Sequence, residues 1–269
     1  SAASDVYKRQ DHLRGIVKTE KKVKVTELSQ RFDVTEETIR RDLERLELEG
    51  LITRTHGGAV LKVENMFDRL GYTHRSRTNV EEKKKIAQIV ASIIPMQATL
   101  FADASSTVME ALTLMADRDD ITVLTNSIPV LSSLNQSGLN IMSTGGANNR
   151  VSCSLQGIIA RTTIMNYHVD FVLTSCKGLK LDEGAYDSRE GETEIKQLMI
   201  SRGQKTIMMA DHTKFDRTSF VKYCSFQQID ILVTDRRPAD EWMELLEEYQ
   251  IRILYPEAED AYIKETGNS

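Results

Sequence analysis

The sequence predicts an α/β protein in two parts, an N-terminal winged helix-turn-helix and a larger domain with a mostly parallel sheet flanked by helices. Two observations predict it. Residues 7–61 run from a short helix through a tight turn to a basic helix, then to a small ribbon with a glycine turn. Beyond residue 79, short Val/Ile/Leu/Met runs alternate with helical stretches, the pattern of strands buried on both faces. The expected organisation is therefore a module at 7–61, a connector at 62–79 and a larger domain at 80–258.

In the small module, Ser1 to about Val6 carry no pattern, and whether they are native is open. Helical spacing begins after them, with Leu13, Ile16 and Val17. Val25 to Phe32 reads as a short helix and Asp33-Val34 as the turn that follows. Thr35 stands where an N-cap hydroxyl accepts a backbone N–H, and Glu36 and Glu37 suit the positive end of the next helix. Ile39, Leu43 and Leu46 recur at helical spacing and should face a core with Leu28, Phe32 and Val34. Thr38, Arg40 and Arg41 fall off that stripe. Gly50 to Val60 then reads as the ribbon, in which Gly57-Gly58 should adopt φ > 0 or allow close approach.

An adjacent arginine pair is usually only a solvated helix face. Within a helix-turn-helix followed by a wing it has a different use, because a guanidinium can bond a guanine edge bidentately or hold a phosphate. The candidate DNA-contact residues are Thr35, Glu37, Thr38, Arg40 and Arg41, with Arg54, His56 and Gly57 in the ribbon. His56 has no second His or Cys at ligand spacing, so no metal is expected.

The charge distribution agrees with this division. The chain has 35 Lys/Arg against 40 Asp/Glu, which at first argues against nucleic acid. Residues 1–77, however, carry 16 basic and 13 acidic side chains, leaving 19 and 27 for the rest. Only the N-terminal part has the sign that phosphate attraction needs. The excess is small, so a homo-oligomer, dimer or tetramer, is expected to supply the remaining affinity through repeated half-sites. Cys153, Cys176 and Cys224 show no CxxC spacing, as expected of reduced thiols in a cytoplasmic protein. No apolar run approaches a membrane span.

In the larger domain, a helix should start near Val80 with Ile86, Ile89, Val90 and Ile93 on one face. Glu81-Glu82-Lys83-Lys84-Lys85 should be its solvated side. The strand runs are Ala98–Ala102, Ile121–Leu124, Leu139–Met142, Val169–Leu173, Thr206–Ala210, Ile229–Val233 and Ile251–Leu254. Glu190 to Glu194 should open the helix that carries Ile195, Leu198 and Met199.

Polar or glycine-bearing segments follow five of these runs, and ligands of parallel sheets bind outside the carboxyl ends of strands. The chemistry suits a phosphorylated sugar or sugar alcohol. Ser105, Ser106 and Thr107 offer hydroxyls and backbone N–H groups at a helix start. Arg150, Lys177 and Lys214 can neutralise phosphate. Asp103 and Asn126 can bond sugar hydroxyls, and Gly145-Gly146 lets the backbone close on a ligand. Thr125, Ser127 and Asp211 complete the candidate effector set. Each piece alone is more often a cap, a turn or a solvated charge, and only their shared position makes the joint reading.

Both halves resemble the DeoR family of bacterial transcriptional regulators. The small module matches at Val25, Glu27-Leu28, Phe32, Val34, Thr38-Ile39-Arg40-Arg41-Asp42-Leu43, Leu46, Gly50, Arg54 and His56-Gly57-Gly58-Ala59. The larger domain matches at Glu81-Glu82-Lys83, Ile86-Ala87, Asp103–Thr107, Thr125–Ser127, Gly145-Gly146, Asp211-His212-Thr213-Lys214-Phe215, Asp230 and Thr234-Asp235. Ser105 stands where that family usually has glycine.

The resemblance implies a ribose-phosphate isomerase-like fold for the larger domain. It also implies a repressor of a carbohydrate-catabolism operon, released by a phosphorylated sugar, with double-stranded operator DNA as partner and no cofactor. Two other classes are weighed beside it. An isomerase-like enzyme would need a paired acid and base; Asp103, Glu192, Glu194 and Asp211 are available, but nothing in the sequence pairs them around one substrate. A DNA-binding protein whose large domain only oligomerises would give no small-molecule response.

Overall fold

The computed structural model describes residues 2–48, 52–55, 57–61 and 71–256. The chain divides into two compact units, residues 1–69 and 70–269. Among the described residues no helix is long and apolar enough to cross a membrane.

The first unit contains α1 (Ala2–Glu20), β1 (Lys22–Lys24), α2 (Val25–Phe32), α3 (Glu36–Leu48), β2 (Ile52–Thr55) and β3 (Gly58–Leu61). Helix α1 already includes Ala2, so regular structure starts before the apolar spacing that signals it. The turn between α2 and α3 is closed by Asp33 in the left-handed region (φ 50°), with its N–H on the carbonyls of Gln30 and Ser29. Thr35 Oγ1 accepts from Thr38 N at 3.3 Å, the expected N-cap of α3. Leu13, Val17, Leu28, Ile39, Leu43, Leu46 and Ile52 form the buried core of the unit.

Strands β1, β3 and β2 make a three-stranded antiparallel sheet, the wing, with β3 in the centre. Gly58 does not have the positive φ considered for it. Its reason is space, since a Cβ there would lie 1.9 Å from the carbonyl oxygen of Val23.

The second unit begins with α4 (Tyr72–Arg77), a helix inside the stretch expected to be only a connector, and α5 (Val80–Ile93). There follow β4 (Thr99–Ala102), α6 (Ser106–Leu114), β5 (Thr122–Thr125), α7 (Ile128–Ser133) and β6 (Asn140–Ser143). A hairpin of β7 (Ala147–Asn149) and β8 (Ser154–Gln156) leads to α8 (Ile158–Met165) and β9 (Val169–Ser175). Next come β10 (Gly178–Lys180), β11 (Gly184–Asp187), α9 (Glu190–Ser201), β12 (Gly203–Met209) and β13 (Val221–Cys224). The described part ends with β14 (Ile231–Val233), α10 (Asp240–Glu248) and β15 (Arg252–Leu254).

All seven expected runs become strands of one parallel sheet, in the order β15-β14-β12-β9-β4-β5-β6. Successive side chains point to opposite faces of a strand, and both faces are buried. Leu100 and Ala102, Ile207 and Met209, and Ile231 and Val233 pack in one core with residues of α5, α6 and α7. Phe101, Met208 and Leu232 pack in the other with residues of α8, α9 and α10, including Trp242. Continuous apolar strands are the sequence consequence of this double cover. The antiparallel sheet β10-β11-β13 and the β7–β8 hairpin were not among the expected elements.

From β4 the chain runs outward through β5 and β6, then returns to the other side of β4 with β9 and continues outward through β12, β14 and β15. The order therefore reverses between β4 and β9. A crevice at the carboxyl ends of such a strand pair is where an open parallel sheet binds ligands.

Candidate functional site

In the first unit, α3 presents Arg40 and Arg41 to solvent, with side-chain exposures of 50% and 76%. Arg40 lies 2.7 Å from Glu36 and Arg41 3.6 Å from Glu37, one helical turn away in each case. Glu37 also lies 3.9 Å from Arg40. Exposed pairs of this kind are worth little and exchange readily for other partners. Thr38 bonds Thr35 through their hydroxyls at 2.9 Å.

In the wing, Arg54 lies 3.8 Å from Glu44, and its backbone N–H donates to Glu47 at 2.9 Å, so the ribbon is tied to the back of α3. Gly57 is exposed, and a Cβ added there would meet nothing within 4 Å. His56 lies outside the described residues. Asp42 turns inward instead, linking α3 to α1 through Arg9.

At the switch point of the second unit, Asp103 follows β4 and is 1% exposed. Its Oδ1 accepts from Ser105 N at 2.9 Å, and its Oδ2 accepts from Thr174 Oγ1 at 2.9 Å and Ser175 N at 3.0 Å. Lys196 Nζ, from α9, lies 3.3 Å from the same Oδ2 and 2.6 Å from Asp187 Oδ2, and donates to Ser175 O at 2.5 Å. Burial opposes the charge of Lys196, but Asp187 and Asp103 hold it well above the ordinary lysine range. Asp103 is thus committed to clamping β4 against β9, rather than standing open as an acceptor for a sugar hydroxyl. Sequence reasoning misses Lys196 and Asp187, because in the sequence each is one charge among many.

Ser105 has φ −87°, which any L-residue adopts, and its hydroxyl caps α6 by accepting from Val108 N at 3.2 Å. Serine in place of glycine is therefore accommodated without strain. Ser106 and Thr107 are buried in the first turn of α6. After β5, Thr125 Oγ1 donates to Ala102 O at 2.7 Å and accepts from Ser127 N at 3.0 Å, while Ser127 caps α7. Asn126 donates through Nδ2 to Leu155 O at 3.2 Å, but its Oδ1 is buried and accepts from no donor among the described residues. Buried acceptors are seldom left so.

Gly145 and Gly146 have φ 64° and 114°. At Gly146 a Cβ would also meet the Gln156 carbonyl oxygen at 2.5 Å, so packing against the hairpin already requires glycine. Arg150 is exposed in the hairpin turn, and among the described residues no hydrogen bond or ion pair joins it to the other candidates.

Beyond β12, Asp211 is 2% exposed. Its Oδ1 accepts from Asn79 Nδ2 at 3.2 Å and from Thr213 N at 3.0 Å, and its Oδ2 lies 3.8 Å from Lys214 Nζ. His212 Nδ1, beside it, lies 2.8 Å from Asp235 Oδ2.

Lys83 is a correction. Expected on a solvated face, it is 5% exposed and donates to the carbonyl oxygens of Arg75 and Thr78. Burial pushes it down to about 8, with Lys214 and Arg75 adding to the fall and Asp211 and Glu110 opposing it. Burial and the nearby Arg75 push Lys177 down to about 7, with Lys214 and Lys196 adding to the fall and Asp187 opposing it. Lys177, Lys83, Lys214 and Arg75 thus lie near enough to one another to interact, with Asp211, Asp187 and Glu110 as the acids in reach. Among the described residues no group of three or more His, Cys, Asp or Glu could hold a metal ion.

Two family models match the chain, a DeoR-like helix-turn-helix domain over residues 9–65 and a DeoR C terminal sensor domain over residues 78–236. The chain is 36% identical over 249 residues to an uncharacterized HTH-type transcriptional regulator, YulB, of Bacillus subtilis, covering 92% of this chain and 96% of that protein. It is 28% identical over 239 residues to the glycerol-3-phosphate regulon repressor of Escherichia coli, covering 88% of this chain and 94% of that protein. Among solved structures, ribose 5-phosphate isomerase A of Methanocaldococcus jannaschii aligns at 10% identity and TM-score 0.40, over 51% of this chain and 55% of that one.

Proposed function

Since the chain belongs to the DeoR family of helix-turn-helix transcriptional regulators, we propose that it represses a carbohydrate-catabolism operon and leaves its operator when a phosphorylated sugar or sugar alcohol binds at the switch point. The observation that carries this reading is the buried, unpaired acceptor of Asn126 at the strand-end rim where the basic side chains of Lys177, Lys83 and Lys214 interact with one another. Cations suit a phosphoryl group, and a buried amide oxygen suits a hydroxyl. A relative named for a glycerol-3-phosphate regulon supports the same ligand class. Candidate contacts are Lys177, Lys214, Asn126 and the first turn of α6, with Asp103 and Asp211 positioning them.

Four carboxylates would serve an isomerase, and each has protein partners. Asp103 is bound to Lys196, and Asp211 to Asn79 and Thr213. Glu192 accepts from Ser154 at 2.5 Å, and Glu194 pairs with Arg161 at 2.9 Å. This supports sensing without turnover. DNA contact is assigned to Arg40, Arg41, Thr38 and the wing, with a homo-oligomer placing two copies on repeated half-sites.

The test is operator release. Fluorescence anisotropy of a labelled operator duplex should fall on titration with phosphorylated sugars and sugar alcohols, and the unphosphorylated compounds should be silent. Lys214→Ala should bind the operator normally and need much more ligand for release. Release by the unphosphorylated compound, or an unchanged response in Lys214→Ala, contradicts the proposal.

A further inference from the structure

The Arg75 side chain is not among the effector contacts proposed so far, yet three observations single it out. Its Nε is buried and donates to no acceptor among the described residues, although buried donors are almost always paired. Its backbone is fixed, since its carbonyl takes the Lys83 ammonium and its N–H reaches Gly71 O at 3.3 Å. Its guanidinium carbon lies 5.9 Å from the centre of the Tyr72 ring, within reach of a cation–π contact. The side chain is thus anchored at its backbone, without a partner for one of its donors.

Its surroundings say what that partner would be. Arg75 is near enough to Lys83 and Lys177 to weaken the protonation of both, and Lys214 acts on the same two lysines. The acids in reach are Asp211, Asp187 and Glu110. Asp187 is already taken by Lys196, and Asp211 by Asn79 and Thr213. Four cations from α4, α5, the start of the β10–β11 sheet and the turn after β12 therefore gather with too few free carboxylates. A phosphoryl group offers several acceptor oxygens and two negative charges, and a guanidinium fork matches its geometry.

We infer that Arg75 is the residue that binds the effector's phosphoryl group, with Lys177 and Lys214 beside it, so that effector binding is anchored on α4. This rests on the reading that the rim binds a phosphorylated effector, and goes beyond it in one respect. Helix α4 is the first described element after the wing strand β3, and Asn79, two residues beyond it, already holds Asp211. A ligand bonded to Arg75 therefore restrains α4 itself, together with the Asn79–Asp211 contact that follows it. Ordering of α4 by the effector then requires Arg75 specifically and not only positive charge at the rim.

The experiment uses the full chain, with inorganic phosphate and glycerol 3-phosphate as probes and glycerol and sodium acetate as controls. Thermal stabilisation gives the half-saturating concentration of each, and hydrogen exchange reports protection of residues 72–79. In the wild type both phosphates should stabilise the second unit and protect 72–79. Arg75→Gln should raise the half-saturating phosphate concentration about tenfold or more, as expected for loss of a charge-assisted bond. Arg75→Lys, which keeps the charge, should recover part of the binding but not the protection of 72–79. If wild type and variants alike ignore phosphate, the phosphorylated-effector reading itself fails. If wild type responds, and Arg75→Gln responds equally while Lys214→Ala does not, that reading survives and the assignment of Arg75 is overturned. Circular dichroism on each variant separates lost binding from lost folding, and a folded Arg75→Lys with wild-type protection also overturns the assignment.

Discussion

Asp42, the acid within the Arg40-Arg41-Asp42 run, points away from the two arginines it follows and meets Arg9 of α1, with Arg9 Nε 2.6 Å from Asp42 Oδ2. Gln10 Nε2 donates to its other oxygen at 3.2 Å. A single tripeptide thus offers two arginines to solvent and uses its acid to fix α3 on α1. Asp42→Ala should leave the Arg9 and Gln10 donors without their acceptor and destabilise the first unit by about 1–3 kcal/mol. Urea denaturation followed by a probe in residues 1–61 measures this. Unchanged stability would mean that the α1–α3 link is dispensable.

Arg41→Ala should behave oppositely. The side chain is 76% exposed and its contact with Glu37 is long, so stability should change by less than about 0.5 kcal/mol. Operator affinity should fall by roughly 1–3 kcal/mol if the guanidinium reads a base edge. Arg54→Ala, if the wing touches phosphate, should weaken binding to operator and unrelated duplex alike and flatten the salt dependence. Equal operator affinity for wild type and Arg41→Ala would remove the groove-reading role.

Lys196→Met tests the clamp at the switch point. It removes the ammonium between two buried carboxylates, Asp103 and Asp187, and should cost about 3–5 kcal/mol, as for other buried pairs broken from one side. The pH dependence follows from the same contacts. Burial would raise Asp187, but Lys196 and Lys177 hold it below the usual carboxylate range. Its contribution is therefore complete above the unfolded value of about 3.9 and is lost as pH falls through the lower folded value. Lys196 is raised, so its contribution is complete below about 10.4 and is lost as pH rises through the folded value. Denaturation midpoints followed into acid should show the Asp187 loss in the wild type and a smaller one in Lys196→Met, where Lys177 still holds Asp187, and the alkaline loss should begin above about 10.4 in the wild type and be absent from Lys196→Met.

Periodicity carries most of this architecture, and fails where long-range partners decide. Continuous apolar runs such as Val169–Leu173 have no other use than strands covered on both faces, and Thr35 before Ile39 marks a helix start by its hydroxyl alone. Strands β10, β11 and β13 hold glycine, lysine and tyrosine in short pieces, and become a sheet only by pairing with one another across distant parts of the chain. Lys83 is hidden by its charged neighbours in Glu81–Lys85. It lies three residues before Ile86 and seven before Val90, on the buried stripe of α5, a spacing that could have shown its burial. Its acceptors, the carbonyls of Arg75 and Thr78, leave no trace in side-chain pattern. The rim positions are legible as loops after strands, but the sequence does not show that Asp103 is spent on Lys196.

The last prediction concerns the protons of the rim. Burial, above all other causes, pushes Lys177 down to about 7 and Lys83 down to about 8. A phosphoryl dianion should favour their charged forms and raise both values, so it binds the protonated protein more tightly. Above pH 7 the free protein loses the Lys177 proton, and above 8 that of Lys83, and effector affinity should decline through this range. Below about pH 6 the phosphate monoester loses its second charge, and affinity should decline there as well. The optimum is then expected between about pH 6 and 7, with proton uptake on binding at pH 8. Calorimetry of glycerol 3-phosphate binding in two buffers of different ionisation enthalpy measures that uptake directly. Lys177→Met should bind more weakly at pH 6.5 and lose most of the decline between pH 7 and 8. An affinity that stays level from pH 6.5 to 9, with no proton taken up, would show that these lysines do not face the ligand.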